Sequence, residues 1–308
     1  MQEENAYHET NRKEREEGVM KETVKKPLEE VGTGLVPFAE RPRLPRRRRD
    51  AHKGDFGKVF ILAGSRGFTG APCLAARAAV RGGAGLVTVA VRPDIYPIVA
   101  AKCCDEAMVW PISESYEDLL SRAGAADIVL IGPGLGQSRW MERRVLRLLS
   151  DLTCPVVLDA DGLNILSRHI DVLDKRSTPT VLTPHEGEFA RLSGCGLPVK
   201  DRAAAARDFA EQHGCVLTLK GHRTVTACPG GDCVVNPTGK PGMAQGGSGD
   251  ALAGLMAALL AQGEDAAAAV WIHGRAGDLA AEEKGERGMT VGDLIEAVPY
   301  AMKECEEE

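Results

Sequence analysis

Gly246, Gly247, Ser248, Gly249 and Asp250 run without a break into the apolar stretch 251–260. Glycines let a backbone bend until several N–H groups face one point. A helix starting there aims its positive end at the same point. Such a turn suits a phosphoryl group whose charge grows during transfer. Asp250, at the junction, is placed to take a proton from an attacking hydroxyl. The segment reads as a phosphoryl-transfer site that carries its own base.

Other clusters are open to two readings each. Lys220, Gly221, His222, Arg223 and Thr224 include cations that could grip nucleotide phosphates, or they form a tight turn. His185 follows Thr183 and Pro184 and is either a ligand contact or a structural histidine. Asp159 and Asp161 could bind a metal or a hydroxyl, or Asp161 could cap a helix N-terminus. The glycine turns 64–70 and 132–136 either cradle a ligand or merely connect. The first lacks the Gly-x-Gly-x-x-Gly spacing of a dinucleotide fold and the Gly-Lys-Ser/Thr of a P-loop.

Apolar runs bounded by glycine predict strands at 57–64, 86–91, 127–131, 155–158, 180–182, 215–219, 224–227 and 232–235. The last two form a hairpin across Pro229, Gly230 and Gly231. Helical periodicity covers 71–81, 95–101, 116–123, 140–149, 186–192, 202–213, 251–262, 265–284 and 291–304. The alternation predicts an α/β fold: a mostly parallel sheet with helices on both faces. Ligands in such sheets sit beyond the carboxyl ends of the strands. The loops after 64, 131, 158, 182, 220 and 236 should therefore meet at one cleft.

Bulk properties exclude several classes. With 308 residues, 44% of them apolar, the chain can bury one large α/β core or two smaller ones. Aromatics at 4% argue against stacked-base recognition of single-stranded nucleic acid, and a net charge of −6 gives no pull toward nucleic acid or membrane. The nine cysteines include one adjacent pair, Cys103 and Cys104, without metal-ligand spacing, and read as reduced thiols. No signal-peptide pattern opens the sequence, and the apolar run 251–261 is too short to span a bilayer. A cytoplasmic location is expected.

Residues 1–30, rich in Glu and Lys, are expected to form a fraying helix or stay disordered. Residues 35–49 hold three prolines and the run Arg46 to Arg49. They are an anion-binding arm, a solvated linker, or an arm along a neighbouring subunit. The folded unit is expected to begin near Lys53, giving a charged arm over 1–50 and one domain over 51–308.

Eight stretches recur in order across about 51–304: HKGDFGKVFILAGS (52–65), GFTGAP (67–72), RGGAGLVTVA (81–90), IGPGLG (131–136), DADGLN (159–164), TPHEGEFARL (183–192), LKGHRTV (219–225) and NPTGKPGMAQGGSGDALAG (236–254). They resemble the ADP-dependent NAD(P)H-hydrate dehydratases of the ribokinase-like superfamily. The resemblance implies a single ribokinase-like domain without a separate lid. It implies ADP-dependent dehydration of the S epimer of hydrated NADH and NADPH, with release of AMP and phosphate. By this likeness Asp250 is the base, and Gly246, Gly247 and Gly249, with Ser248 among them, surround the phosphoryl group. Lys220 to Thr224 lie against the nucleotide. Ala71, Gly134, His185 and Asp250 contact the hydrate, with Glu188 and Arg191 close by. Mg²⁺ accompanies the nucleotide, and a homo-oligomer, favoured as a tetramer, is implied.

A ribokinase-like kinase of a small alcohol or vitamin precursor would share the 246–250 loop. The cluster GPGLG, DADGLN and TPHEGE favours the lyase. A nucleotide-binding regulator without catalysis is disfavoured by Gly249 and Asp250. Three positions depart from the family pattern: Glu186 where Pro is frequent, Lys240 where Asn is common, and Gln245 where Thr is common. Many relatives carry an epimerase domain ahead of this one. The roughly 50 residues before Lys53 are too few for one, so an epimerase is expected on another chain.

Overall fold

The computed structural model describes residues 28–31 and 34–307. A two-stranded antiparallel ribbon, β1 (Leu28–Val31) and β2 (Gly34–Pro37), opens it. Seven parallel strands follow: β3 (Lys58–Leu62), β4 (Leu86–Val91), β5 (Ala107–Pro111), β6 (Ile128–Ile131), β7 (Val156–Leu158), β8 (Thr180–Leu182) and β9 (Val216–Leu219). The short strands β10 (Val225–Ala227) and β11 (Cys233–Val235) add an antiparallel margin. The order across the nine-stranded sheet is β11-β10-β9-β8-β7-β6-β3-β4-β5.

Side chains alternate across this sheet, and both faces are covered. Val59 and Ile61 of β3 join one apolar cluster, whereas Phe60 and Leu62 join the other. The helices that supply the first cluster are α1 (Gly70–Arg81) and α2 (Tyr96–Lys102), then α9 (Ser248–Ala261), α10 (Ala266–Lys284) and α11 (Val291–Lys303). The second is closed by α3 (Tyr116–Gly124), α4 (Arg139–Asp151), α5 (Asp161–Leu166), α6 (Asp171–Asp174), α7 (Glu186–Ser193) and α8 (Arg202–His213). Two-sided cover explains why the strands read as continuous apolar runs. Helix α9 is buried from Ala251 to Ala261, as its all-round apolar composition requires. It crosses α1 so closely that a Cβ on Gly254 would overlap the Ala75 carbonyl oxygen.

Several boundaries differ from the sequence expectation. Helix α9 begins at Ser248, so Asp250 lies inside its first turn instead of ahead of it. Strand β5 falls in a stretch with no expected element; it is the sheet margin, and Met108 on it is exposed. Helix α6 was also not expected, and α5 only in the reading that made Asp161 a helix cap. Of the fraying or disordered segment expected at 1–30, residues 1–27 lie outside the described residues, and 28–30 are strand, paired to β2. Packing begins well before Lys53: Val36, Ala39 and Leu44 are buried on the body. Ala39 N–H donates to Val235 O at 2.8 Å, and Leu44 N–H to Cys305 O at 2.8 Å. Within the arginine run, Arg47 stacks over Phe56 at 3.7 Å and donates to Gly83 O at 2.6 Å. Among the described residues no helix is long and apolar enough to cross a membrane.

Candidate active site

The expected convergence of loops is present. Helices α3, α4, α8, α10 and α11 start on a Ser, Asp or Thr whose side chain accepts an N–H of the first turn. Helix α9 starts on Gly247, which offers no such oxygen. Ser248 N–H donates to Gln245 O at 3.4 Å, and the N–H groups of Gly249 and Asp250 follow it at the positive end of the helix, where an anion is favoured. Gly247 has φ 97°, and a Cβ there would stand 2.5 Å from Leu74 Cδ1. Only glycine meets both conditions without strain. Gly246 has open space around it.

Lys220 sits beside this turn: a Cβ on Gly249 would lie 3.3 Å from its Nζ. The ammonium donates to Asp159 Oδ1 at 2.6 Å and stands 3.9 Å from Glu188 Oε2. Asp159 is buried and also accepts from Thr183 Oγ1 at 2.8 Å. Burial alone would favour neutral Lys220, but Asp159, Glu188 and Asp250 together raise its pKa and keep it charged. The reverse holds for Asp250. Burial, then the charges of Asp159 and Glu188, push its carboxyl up to about 7, with Lys220 opposing. A carboxylate titrating near neutrality suits a general base.

His185 caps α7. Its Nδ1 accepts from Gly187 N–H at 3.0 Å and Glu188 N–H at 3.3 Å, and Glu188 Oε2 accepts from His185 N–H at 2.9 Å. With Nδ1 occupied as acceptor, Nε2 is the ring's donor. Lys220 N–H donates to Pro184 O at 2.8 Å, which sets His185 and Lys220 side by side.

Ala71 and Gly134 also meet, since a Cβ on Gly134 would be 3.0 Å from Ala71 Cβ. Gly134 has φ 57°, and its carbonyl accepts from Ser65 Oγ at 2.8 Å. Asp161 is not the helix cap: Ala160 holds that position, at φ 48° and ψ −116°. Asp161 instead accepts from Gly136 N–H at 2.8 Å and Gln137 Nε2 at 3.0 Å, pinning the 132–136 turn. Ala160 is in a region that non-glycine residues avoid, at a cost of about 1–3 kcal/mol. Exposed Arg191 donates to Asn164 Oδ1 at 2.9 Å.

A cavity of about 670 Å³ opens next to the start of α9. Its wall includes His185, all of Lys220 to Thr224, Ser248 and Gly249. Lys240 and Gln245, two of the departures from the family pattern, line it as well. Of the expected hydrate contacts only His185 is on its wall, while Ala71, Gly134, Glu188, Arg191 and Asp250 are not, and neither are Gly246 and Gly247 of the expected nucleotide contacts. Among the described residues no group of three or more His, Cys, Asp or Glu could hold a metal ion.

Sequence reasoning missed the pairing of Asp159 with Lys220, which lie 61 positions apart. It also missed His273, which is buried on the cavity wall with Nε2 3.1 Å from Ser248 O. Burial drives its pKa down to about 4, so the ring is a neutral donor that steadies the first residue of α9. The available signal was one histidine inside the apolar run 266–274.

The family model Carb_kinase, described as NAD(P)H-hydrate dehydratase, matches residues 59–300. The chain is 43% identical over 283 residues to the bifunctional NAD(P)H-hydrate repair enzyme Nnr of Moorella thermoacetica, covering 87% of this chain and 53% of that one. It thus spans about half the length of the curated relatives it first matches. Among solved structures, the ADP/ATP-dependent NAD(P)H-hydrate dehydratase of Bacillus subtilis, co-crystallised with ATP/Mg²⁺, is similar at a TM-score of 0.73 and 33% identity, over 88% of this chain and 99% of that one. A ribokinase-like superfamily protein of Enterococcus faecalis is similar at a TM-score of 0.75 and 30% identity, over 86% and 93%.

Proposed function

Because the chain belongs to the NAD(P)H-hydrate dehydratase family, we propose that it is a lyase that uses ADP to dehydrate the S epimer of hydrated NADH and NADPH. The observation that carries this reading is Asp250, pushed up to about 7 in the first turn of a helix whose N-cap lacks a side-chain oxygen. Asp250 takes the proton of the ring hydroxyl. The freed oxygen attacks the β-phosphorus of ADP, and the bond to the bridging oxygen breaks, so AMP leaves with that electron pair. N–H groups of Gly249 and Asp250 and the Lys220 ammonium neutralise the phosphoryl oxygens in flight. The ring nitrogen's lone pair then expels phosphate from carbon. Loss of a proton from the adjacent carbon restores the dihydronicotinamide.

The 670 Å³ cavity and the Lys220–Thr224 loop suit the nucleotide. Ala71, Gly134, His185, Glu188 and Arg191 are assigned to the hydrate. Asp159 and Glu188 are committed to Lys220, and the described residues offer no cage for Mg²⁺. The ion would be held chiefly by nucleotide phosphates, as is usual for this cation. Residues 51–308 are taken as the dehydratase domain. Family kinship supports a cytoplasmic homotetramer, which sedimentation analysis would contradict by returning a monomer.

The deciding experiment mixes acid-prepared hydrate with ADP or ATP and follows the near-ultraviolet absorbance of the dihydronicotinamide. Recovery of that absorbance, with AMP and phosphate formed one for one when ADP is the donor, is the expected result. A stable phosphate ester with no recovery would make the protein a kinase instead.

A further inference from the structure

Arg202 opens α8 and is not on the cavity wall, yet it reaches the loop that is. Its Nη1 donates to the carbonyls of His222 (2.7 Å) and Arg223 (3.2 Å), and its Nη2 to those of Leu219 (2.8 Å) and Lys220 (3.1 Å). Its Nε lies 3.2 Å from Glu186 Oε1. Glu186 is one of the departures from the family pattern, and this contact is what the carboxylate does. Gly221, at φ 151°, has room only for hydrogen: a Cβ would be 2.9 Å from Arg202 Nη2.

A carbonyl oxygen is the negative end of its peptide dipole. Carbonyls committed to one cation behind the loop are carbonyls that do not face the cavity. The N–H groups of Lys220 and Gly221 are themselves given to Pro184 O and Thr224 Oγ1, so what the loop then shows a ligand is chiefly its side chains, the cationic Lys220 and Arg223 among them, and these can receive an anion. Glu186 also follows His185 directly, so one guanidinium ties the His185 turn to the 220–224 loop.

We propose that Arg202 is a positioning residue for the nucleotide, holding the 220–224 loop with its carbonyls outward so that the cavity accepts the phosphates of a nucleoside diphosphate. This rests on the function proposed above. The planar fork matters as much as the charge, because lysine cannot serve four acceptors in one geometry.

The test is calorimetric titration with ADP, beside steady-state kinetics, for the wild type, Arg202→Lys and Arg202→Gln. Kd and KM for ADP are expected to rise about tenfold in Arg202→Lys and further in Arg202→Gln, with kcat and the hydrate KM within about threefold of wild type. Unchanged ADP affinity in both variants overturns the proposal. So does a fall in kcat without a change in Kd, and so does the loss of cooperative melting in both, which would make Arg202 a residue of the fold alone. A wild-type chain that binds no ADP overturns the functional reading as well, and this separates the two failures.

Discussion

Asp250 has a basicity that its neighbours create. Burial comes first, then Asp159 and Glu188, with Lys220 pulling the other way. kcat/KM is therefore expected to rise with pH through about 7 and level off above it. Asp250→Asn removes the proton acceptor and leaves the anion-binding turn intact. Its kcat should fall about a thousandfold, with ADP affinity nearly unchanged; full turnover would remove the base assignment. The same shift has a stability consequence. Below the ordinary carboxylate range both folded and unfolded chains hold the proton. From there to about 7 the unfolded chain has released it and the folded chain has not, so stability falls as pH rises. Above about 7 the loss is complete. Asp250→Asn should therefore gain about 2–4 kcal/mol over wild type at alkaline pH and little at a pH below the ordinary carboxylate range. Denaturant melts at the two pH values give the comparison, and an equal gap at both would contradict the raised pKa.

Helix α9 places that carboxylate, and a single glycine sets the depth of the helix. Gly254 lets α9 approach α1 until the Ala75 carbonyl occupies the space a Cβ would need. Gly254→Ala should cost about 1–3 kcal/mol by overpacking. The denaturation midpoint measures it, and an unchanged midpoint would mean the helices separate freely. Legibility in the sequence follows the same logic of burial. Strands β4 and β8 could be read to the residue because both faces are covered and their runs, apart from the β-branched Thr88 and Thr180, are apolar. Strand β5 could not, although Ala107 to Pro111 are all apolar: no glycine bounds the run, and a proline closes it, as suits a strand at the sheet margin. Helix α5 begins on Ala160 at φ 48°, a conformation no alanine advertises. The cleft was legible because glycine and polar clusters follow strand ends. The partners inside it were not. Asp159 meets Lys220 across β8, and nothing local in either segment specifies the other.

Both ends of the described chain are fastened to the same body. Leu44 N–H donates to Cys305 O at 2.8 Å, and Glu307 N–H donates back to Leu44 O at 3.1 Å. Further up, Phe38 lies under Arg223, with the guanidinium 4.9 Å from the ring centre. The segment that the prolines and arginines suggested was a linker or a free arm thus behaves as a strap, running from the 220–224 loop to the end of α11. Its apolar anchors were hidden in the sequence by the exposed arginines around them. Leu44→Ala removes one anchor and leaves its main-chain bonds. Stability should drop by about 2–4 kcal/mol, the usual cost of emptying a buried leucine site. The KM for ADP should stay at the wild-type value, because Leu44 pairs with the chain end at Cys305 and Glu306 and is not on the cavity wall. Chemical denaturation read beside ADP kinetics separates the two effects. A KM that rises in step with the lost stability would mean the strap shapes the 670 Å³ cavity along its whole length, and not only where Phe38 meets Arg223.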